Sequence, residues 1–180
     1  EIANQLAKAG AKVILISGPT KLQPPTNVKF IKINNAKQMF NETKKHNKNI
    51  DVAIFSAAVA DFKIKKISSK KLKKNHLRSI NLIENIDILK SISKQKNNRP
   101  KFVVGFSAET ESIINAKKKL IEKNCDMIIY NKISKNNKVF GLDENKISIL
   151  TKTKVKNYPK TSKIICAKQI IDSICKAVIN

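Results

Sequence analysis

At 180 residues and 20.2 kDa the chain has the length of one domain, and with 41% hydrophobic residues it can bury roughly 70% of the surface its unfolded form exposes, which excludes global disorder. No apolar run approaches the ~20 residues of a membrane-crossing helix, so a bilayer-spanning role is excluded. Thirty-seven Lys+Arg against thirteen Asp+Glu give a formal charge of +24 and a pI near 10.1, which alone would suggest polyanion binding. The excess is nearly all lysine spread over the whole chain, aromatics are 5% and Trp is absent, whereas a nucleic-acid face has clustered Arg and stacking aromatics. The composition favours small phosphate-bearing ligands over nucleic acid.

Helical spacing of Ile2, Ala3, Leu6 and Ala7 predicts a helix over residues 1–9, with Gly10 as a left-handed stop. Val13 to Ile16 is a continuous apolar run, the pattern of a strand covered on both faces, closed by Ser17-Gly18-Pro19. Beyond Pro24-Pro25 a second strand is expected at Val28 to Ile33 and a surface helix at Ala36 to Lys45. Asp51 to Phe55 reads as a strand leading into Ser56-Ala57-Ala58-Val59-Ala60-Asp61-Phe62, and Lys63 to Lys74 as a mobile, Lys-rich loop. A strand at Leu77 to Ile83, a helix from Asp87 to about Gln95 and a buried strand at Lys101 to Phe106 follow. A helix over 111–123, a strand at Asp126 to Tyr130, a turn at Gly141-Leu142-Asp143, short strands at Ile147 to Leu150 and Val155 to Tyr158, and a final helix from Ser162 to Val178 complete the chain. Apolar strands alternating with helices predict an α/β fold, a Rossmann-like three-layer sandwich with a mainly parallel central sheet and a late edge hairpin.

In open parallel sheets ligands sit beyond the carboxyl ends of the strands. The segments there are Ser17-Gly18-Pro19, Ala57 to Phe62, Gly105 to Thr110 and the Tyr130-Asn131 corner. Asp61 at a strand end suits either a ligand amino group or a turn cap, and Phe106 either a base or the core. Lys71-Leu72-Lys73-Lys74 could bring cations over a phosphate, though a solvated charge run has the same composition. Lys119 and Lys123, at i and i+4, can point the same way from one helix. His46 and His76 sit in polar surroundings with no nucleophile partner, and Cys125, Cys166 and Cys175 form neither a CxxC pair nor a metal-ligand spacing, so reduced thiols of a cytoplasmic protein are expected. No G-x-G-x-x-G and no G-x-x-x-x-G-K-[ST] occurs, which disfavours an NAD-binding Rossmann relative and a P-loop ATPase. The chain opens on Glu1 inside a helical pattern, without an initiator Met or a signal peptide, so a missing upstream part is expected.

Ser17-Gly18-Pro19, then Ser56-Ala57-Ala58-Val59-Ala60-Asp61-Phe62, Lys71-Leu72-Lys73-Lys74, Asn85-Ile86-Asp87-Ile88 and Val103-Val104-Gly105-Phe106-Ser107-Ala108-Glu109-Thr110, in this order and spacing, closely resemble bacterial phosphopantothenate–cysteine ligase, usually the C-terminal half of the bifunctional coenzyme A biosynthesis protein. The likeness covers essentially the whole chain, including Phe140-Gly141-Leu142-Asp143-Glu144-Asn145.

The resemblance implies a single ligase domain over 1–180 that lacks the family's first strand and Gly-rich turn. It further implies activation of 4'-phosphopantothenate by CTP, attack by the amine of L-cysteine, Mg2+ accompanying the triphosphate, a homodimer, and FMN only if a decarboxylase domain lies upstream. Carried over by position, Lys71 is the catalytic cation. Asp61, Lys71, Phe106, Lys119 and Lys123 contact the nucleotide, and Ile83, Glu84, Asn85 and Ile86 hold it largely through backbone groups. No metal ligand is assigned. The family reads N-P-D-I where this chain has Asn85-Ile86-Asp87-Ile88, and often Asp where Lys132 stands. The rival from another class is a basic nucleic-acid-binding α/β module, with nucleotide turnover the discriminating observation.

Overall fold

A computed structural model describes residues 1–66, 79–110, 112–133 and 143–179. Its helices are α1 (Ile2–Lys8), α2 (Ala36–His46), α3 (Ile88–Ser93), α4 (Ile113–Glu122) and α5 (Lys163–Ile179). The main strands are β1 (Val13–Ser17), β2 (Val28–Lys32), β3 (Val52–Phe55), β6 (Phe102–Glu109), β7 (Met127–Lys132), β9 (Ile147–Leu150) and β10 (Val155–Asn157). Shorter ones are β4 (Phe62–Ile64), β5 (Leu82–Glu84), β8 (Glu144–Asn145) and β11 (Thr161–Ser162).

The central sheet has the order β10-β9-β7-β6-β3. Its β3, β6 and β7 are parallel, aligned by Phe55↔Gly105 and Gly105↔Ile128, while β9 pairs antiparallel with β7 and forms the expected edge hairpin with β10. Successive strand side chains point to opposite faces, which divides the core in two. Phe102, Val104 and Phe106 join Val52, Ile54, Met127, Ile129, Ile147 and Ile149 against Cys166, Ile170 and Ile174 of α5 and Ile2 of α1. On the other face Val103, Ile128, Tyr130, Leu150 and Phe55 pack on Ile113, Ala116 and Leu120 of α4 and Leu89 of α3. Helices on both faces of a largely parallel sheet make the three-layer α/β architecture anticipated from the apolar strand runs.

The structure departs from the sequence expectations in several places. β1 and β2 pair in parallel, but as a separate two-stranded sheet, so Ser17-Gly18-Pro19 closes that pair rather than the central sheet. The loop expected from Lys63 begins later, because Phe62 and Ile64 alternate with Lys63 and pair as β4 against β5. Lysine content masked that period-two signal. The strand expected at Leu77 to Ile83 is β5 over Leu82–Glu84, with residues 67–78, including Lys71 and His76, outside the described residues. The Phe140-Gly141-Leu142 stretch is likewise outside them. β6 runs on through Glu109 because β7 keeps pairing with it up to Glu109↔Lys132, so Phe106 lies within a strand and not after one. Gly10 takes the expected left-handed conformation, φ +86.

At the amino ends of β6 and β7 a guanidinium knits four segments together. Arg99 donates to the carbonyls of Ser93 (2.8 Å), Pro100 (2.9 Å) and Asn124 (3.0 Å) and to the Asp126 carboxylate (2.7 Å), which also accepts from the Val103 amide (2.7 Å). Asn124 turns the chain out of α4 at φ 47, a conformation Asn tolerates better than other side-chain-bearing residues.

Gly105 sits in β6 where a Cβ would meet Ile128 Cδ1 at 2.7 Å and Leu89 Cδ2 at 2.8 Å. Both partners belong to the packed layer between sheet and helices, so an added methyl must displace them. Gly105→Ala is expected to lower unfolding stability by about 1–3 kcal/mol, read by urea denaturation at pH 7.

Candidate functional site

Because β3, β6 and β7 are parallel, the segments leaving their carboxyl ends share one rim of the sheet. The β3–β6 pairing ends at Phe55↔Gly105, so the chain leaves β3 toward Asp61 at the level where Phe106 begins. The path of the 56–61 segment is fixed by Asn85: its backbone N–H donates to the Asp61 carbonyl (2.7 Å), its Nδ2 to the Ala60 carbonyl (3.1 Å), and its Oδ1 accepts from the Ile86 amide (3.0 Å). The Asp61 side chain is exposed, as are Ile83 and Glu84 on β5 and Ile86 beyond it. Asn85 thus uses its side chain to hold the protein's own backbone, a role the sequence reading missed.

Two residues later Asp87 opens α3, its Oδ1 accepting from the Lys90 amide at 2.9 Å as an N-cap. Its other oxygen, Oδ2, lies 3.1 Å from Lys123 Nζ. One turn earlier on the same side of α4, Lys119 Nζ donates to Glu109 Oε1 at the end of β6, and the nearly buried Ser107 Oγ donates to that oxygen at 2.8 Å. The two cations expected from their i, i+4 spacing are therefore each docked on a carboxylate, and those carboxylates come from different elements. The sequence showed Asp87 only as a helix start and Glu109 only as part of a strand-end run. The available signal for Glu109 was its period-two relation to the buried Ser107.

The remaining expected site residues are distributed as follows. Phe106 is half-buried on the α5 and α1 side of the sheet, against the core, whereas Ser107 and Glu109 engage the α4 side. Phe106 therefore shares the rim with Asp61 but not a face with Lys119. Lys71 lies outside the described residues. A shallow depression of about 190 Å³ is lined by Glu109, Asn115, Lys118, Lys119 and Glu122. A larger one, about 370 Å³, lies on Asp172, Cys175, Lys176 and Ile179 of α5 and shares no residue with the rim, so volume does not mark the site.

Burial and charge tune this corner. The hydrogen bond from Lys119 holds the Glu109 carboxyl below the ordinary glutamate range, against an opposing desolvation cost and with further help from Ser107. Tyr130, paired with Ser107 across the β6–β7 ladder, has its phenol pushed up by burial and then by the Glu109 charge. Burial pushes the Cys125 thiol up to about 12, so it is an inert core group rather than a nucleophile. His46 is a half-exposed helix residue 3.9 Å from Glu42. Among the described residues no three His, Cys, Asp or Glu side chains group closely enough to hold a metal ion.

A family model described as the DNA/pantothenate metabolism flavoprotein C-terminal domain matches residues 1–178. The chain belongs to that family. It is 39% identical over 174 residues to the coenzyme A biosynthesis bifunctional protein CoaBC of Borreliella burgdorferi, covering 94% of this chain, and 38% identical over 175 residues to that of Haemophilus influenzae, covering 96%. It spans about 43% of the length of either relative. Among solved structures, the C-terminal domain of a CoaBC protein superposes with a TM-score of 0.78 at 32% identity, covering 96% of this chain and 78% of the other. A DNA/pantothenate metabolism flavoprotein from Streptococcus pneumoniae, 21% identical with a TM-score of 0.76 over 98% of this chain and 86% of its own, shares the fold.

The Glu109 pairing gives stability a sign-defined pH dependence. A carboxyl whose folded pKa is depressed contributes stability above its unfolded pKa and loses it as the pH falls through the folded value. Between about pH 5 and pH 2 the native protein should therefore lose stability more steeply than Glu109→Gln, with the two curves converging at the acid end, as measured by urea denaturation across that range.

Proposed function

We propose that the chain is the ligase portion of a coenzyme A biosynthesis protein, joining 4'-phosphopantothenate to L-cysteine with CTP as the activating nucleotide. The supporting observation is the single rim at which the Ala57 to Asp61 segment, the Asn85 to Asp87 segment and the Glu109–Lys119 and Asp87–Lys123 pairs gather, in a chain of this family.

A free carboxylate is a poor electrophile, so the first half-reaction converts it into a mixed anhydride. One carboxylate oxygen of 4'-phosphopantothenate attacks the α-phosphate of CTP, the bond to the β-phosphate breaks, and pyrophosphate leaves. In the second, the cysteine amine attacks the activated carbonyl, the bond to the nucleotide oxygen breaks, and CMP departs with its electron pair while the amine loses a proton. Little covalent chemistry falls to the protein, which positions the reactants and stabilises charge.

Asp61, exposed at the end of the segment after β3, takes hydrogen bonds from the nucleotide, which also reaches Phe106 within β6. Backbone groups of Ile83, Glu84, Asn85 and Ile86 complete the cradle. Lys119 and Lys123 meet the phosphates, and Lys71 stabilises the negative charge that develops as pyrophosphate leaves. Mg2+ enters with CTP as part of the substrate. FMN has no role in these steps and would belong to a decarboxylase domain. No described helix is long and apolar enough to cross a membrane, and the cytoplasm is the compartment in which such an enzyme works.

CTP-dependent pyrophosphate release that requires 4'-phosphopantothenate tests the activity in the full-length natural protein. Steep, salt-dependent duplex binding without nucleotide turnover would point instead to the basic nucleic-acid module. Within the active protein, Lys71→Gln should lower kcat for acyl-cytidylate formation by about 100-fold while changing the CTP dissociation constant by less than about threefold, because its work is done in the transition state.

A homodimer is assigned to the β4–β5 hairpin. Phe62, Ile64 and Leu82 fall on one face of this ribbon by its register, and all three are exposed, Phe62 and Leu82 at 58% each. Contiguous exposed apolar surface on this ribbon suits a second copy of the same ribbon. The double substitution Phe62→Lys and Leu82→Lys should shift the mass by light scattering from dimer to monomer while leaving the far-ultraviolet circular dichroism unchanged.

A further inference from the structure

We infer that Glu109 is a positioning residue that aims Lys119 at the nucleotide phosphates, acting through a Ser107–Glu109–Lys119 relay. The inference rests on the nucleotide-site reading of Lys119 given above.

The relay is built from the inside out. Ser107 is 2% exposed and pairs with Tyr130 of β7, just beyond the end of the β3 pairing, so its hydroxyl is held in place by burial and by that ladder. It donates to Glu109 Oε1 at 2.8 Å, two residues along the same face, and this selects one orientation of the carboxylate. The same oxygen receives Lys119 Nζ from α4. Relative side-chain exposure separates the pair: Glu109 retains 18% and Lys119 39%, so the lysine is the more exposed partner. A ligand arriving from solvent therefore meets more of the lysine than of the carboxylate.

The carboxylate leaves the cation available. An ammonium carries three donors, and the described contact occupies one. The two others stay open to phosphate oxygens. A lysine side chain left to itself samples many rotamers, a freedom that ligand binding must remove. Docking on Glu109 removes much of it in advance, which is preorganisation in the ordinary sense. The opposing effect is repulsion between Glu109 and an incoming phosphate. Direct contact with Lys119 largely cancels that charge at the distance of the ligand, and preorganisation wins. Lys123 has the parallel arrangement with Asp87 at 3.1 Å, but Asp87 also caps α3, so only Glu109 offers a clean test.

The full-length natural protein, with Glu109→Gln, Lys119→Met, the double variant and Ser107→Ala, supplies the measurements: CTP dissociation constant by calorimetry with Mg2+ present, and kcat from pyrophosphate release. Glu109→Gln should weaken CTP binding about tenfold with kcat held within about threefold, and should add less than about twofold in the Lys119→Met background. Ser107→Ala, which frees the carboxylate without removing its charge, should weaken binding in the same direction by a smaller factor.

Equal weakening by Glu109→Gln with and without Lys119 would overturn the relay, since the carboxylate would then act by another route. Unchanged or tighter CTP binding in Glu109→Gln, with Lys119→Met still impaired, would also overturn it and leave the nucleotide site standing. If Lys119→Met itself binds CTP normally, the site assignment of that lysine fails, and the inference fails with it. Should Glu109→Gln not fold, Ser107→Ala decides alone: normal CTP binding there refutes the relay, and weakened binding that vanishes in the Lys119→Met background supports it.

Discussion

The site depends on how closely a helix approaches one strand. Gly105 has no side chain, and Leu89 of α3 and Ile128 of β7 fill the space a Cβ would take. That contact seats α3 on the sheet, and seating α3 sets where its first residue stands. Asp87 consequently caps the helix and reaches Lys123 with the same carboxyl group. A steric fact in the middle of β6 is thus transmitted, through one helix, to the charge pattern at the rim.

Charge at that rim is organised differently from charge elsewhere on the chain. Most of the lysines are solvated surface groups, and pairs such as Lys101 with Asp51 are exposed on both sides and contribute little. Lys119 and Lys123 differ because their partners are anchored: Glu109 by a strand and a buried hydroxyl, Asp87 by a helix start. With a formal charge of +24, attraction to a triphosphate needs no special cluster. What a specific site requires is direction, and fixed carboxylates give direction to flexible cations.

Much of the architecture was legible in the sequence, for a simple reason. Strands buried on both faces must be continuously apolar, and Val103 to Phe106 and Met127 to Tyr130 announce themselves in any lysine-rich background, whereas Val13 to Ile16 has the same apolar run in a strand that is only half-buried. The β4 strand did not, since three residues alternating Phe62, Lys63, Ile64 resemble the start of a charged loop until a partner strand is known. Of the site, the motif runs and the helical spacing of the two lysines could be read directly. The facing of Phe106 and Glu109 to opposite sides of β6 could not, because it hangs on the strand continuing past Gly105, which only pairing with β7 decides. Arg99 was legible as punctuation before Pro100. Its hydrogen bonds to Ser93, Asn124 and Asp126, up to 27 residues away in the chain, were not.

The sheet of this molecule is interrupted. β1 hydrogen-bonds only to β2 and β3 only to β6 among the described strands, so each carries one bare edge, while the two pieces are joined by helix packing of α1 on α5 and α2 on α3. Side-chain packing is a softer coupling than a backbone ladder. The β1–β2 unit can therefore breathe as a separate cooperative element, its amides exchanging with solvent deuterium sooner than those of β6 and β7, and Ser17-Gly18-Pro19 moves with it.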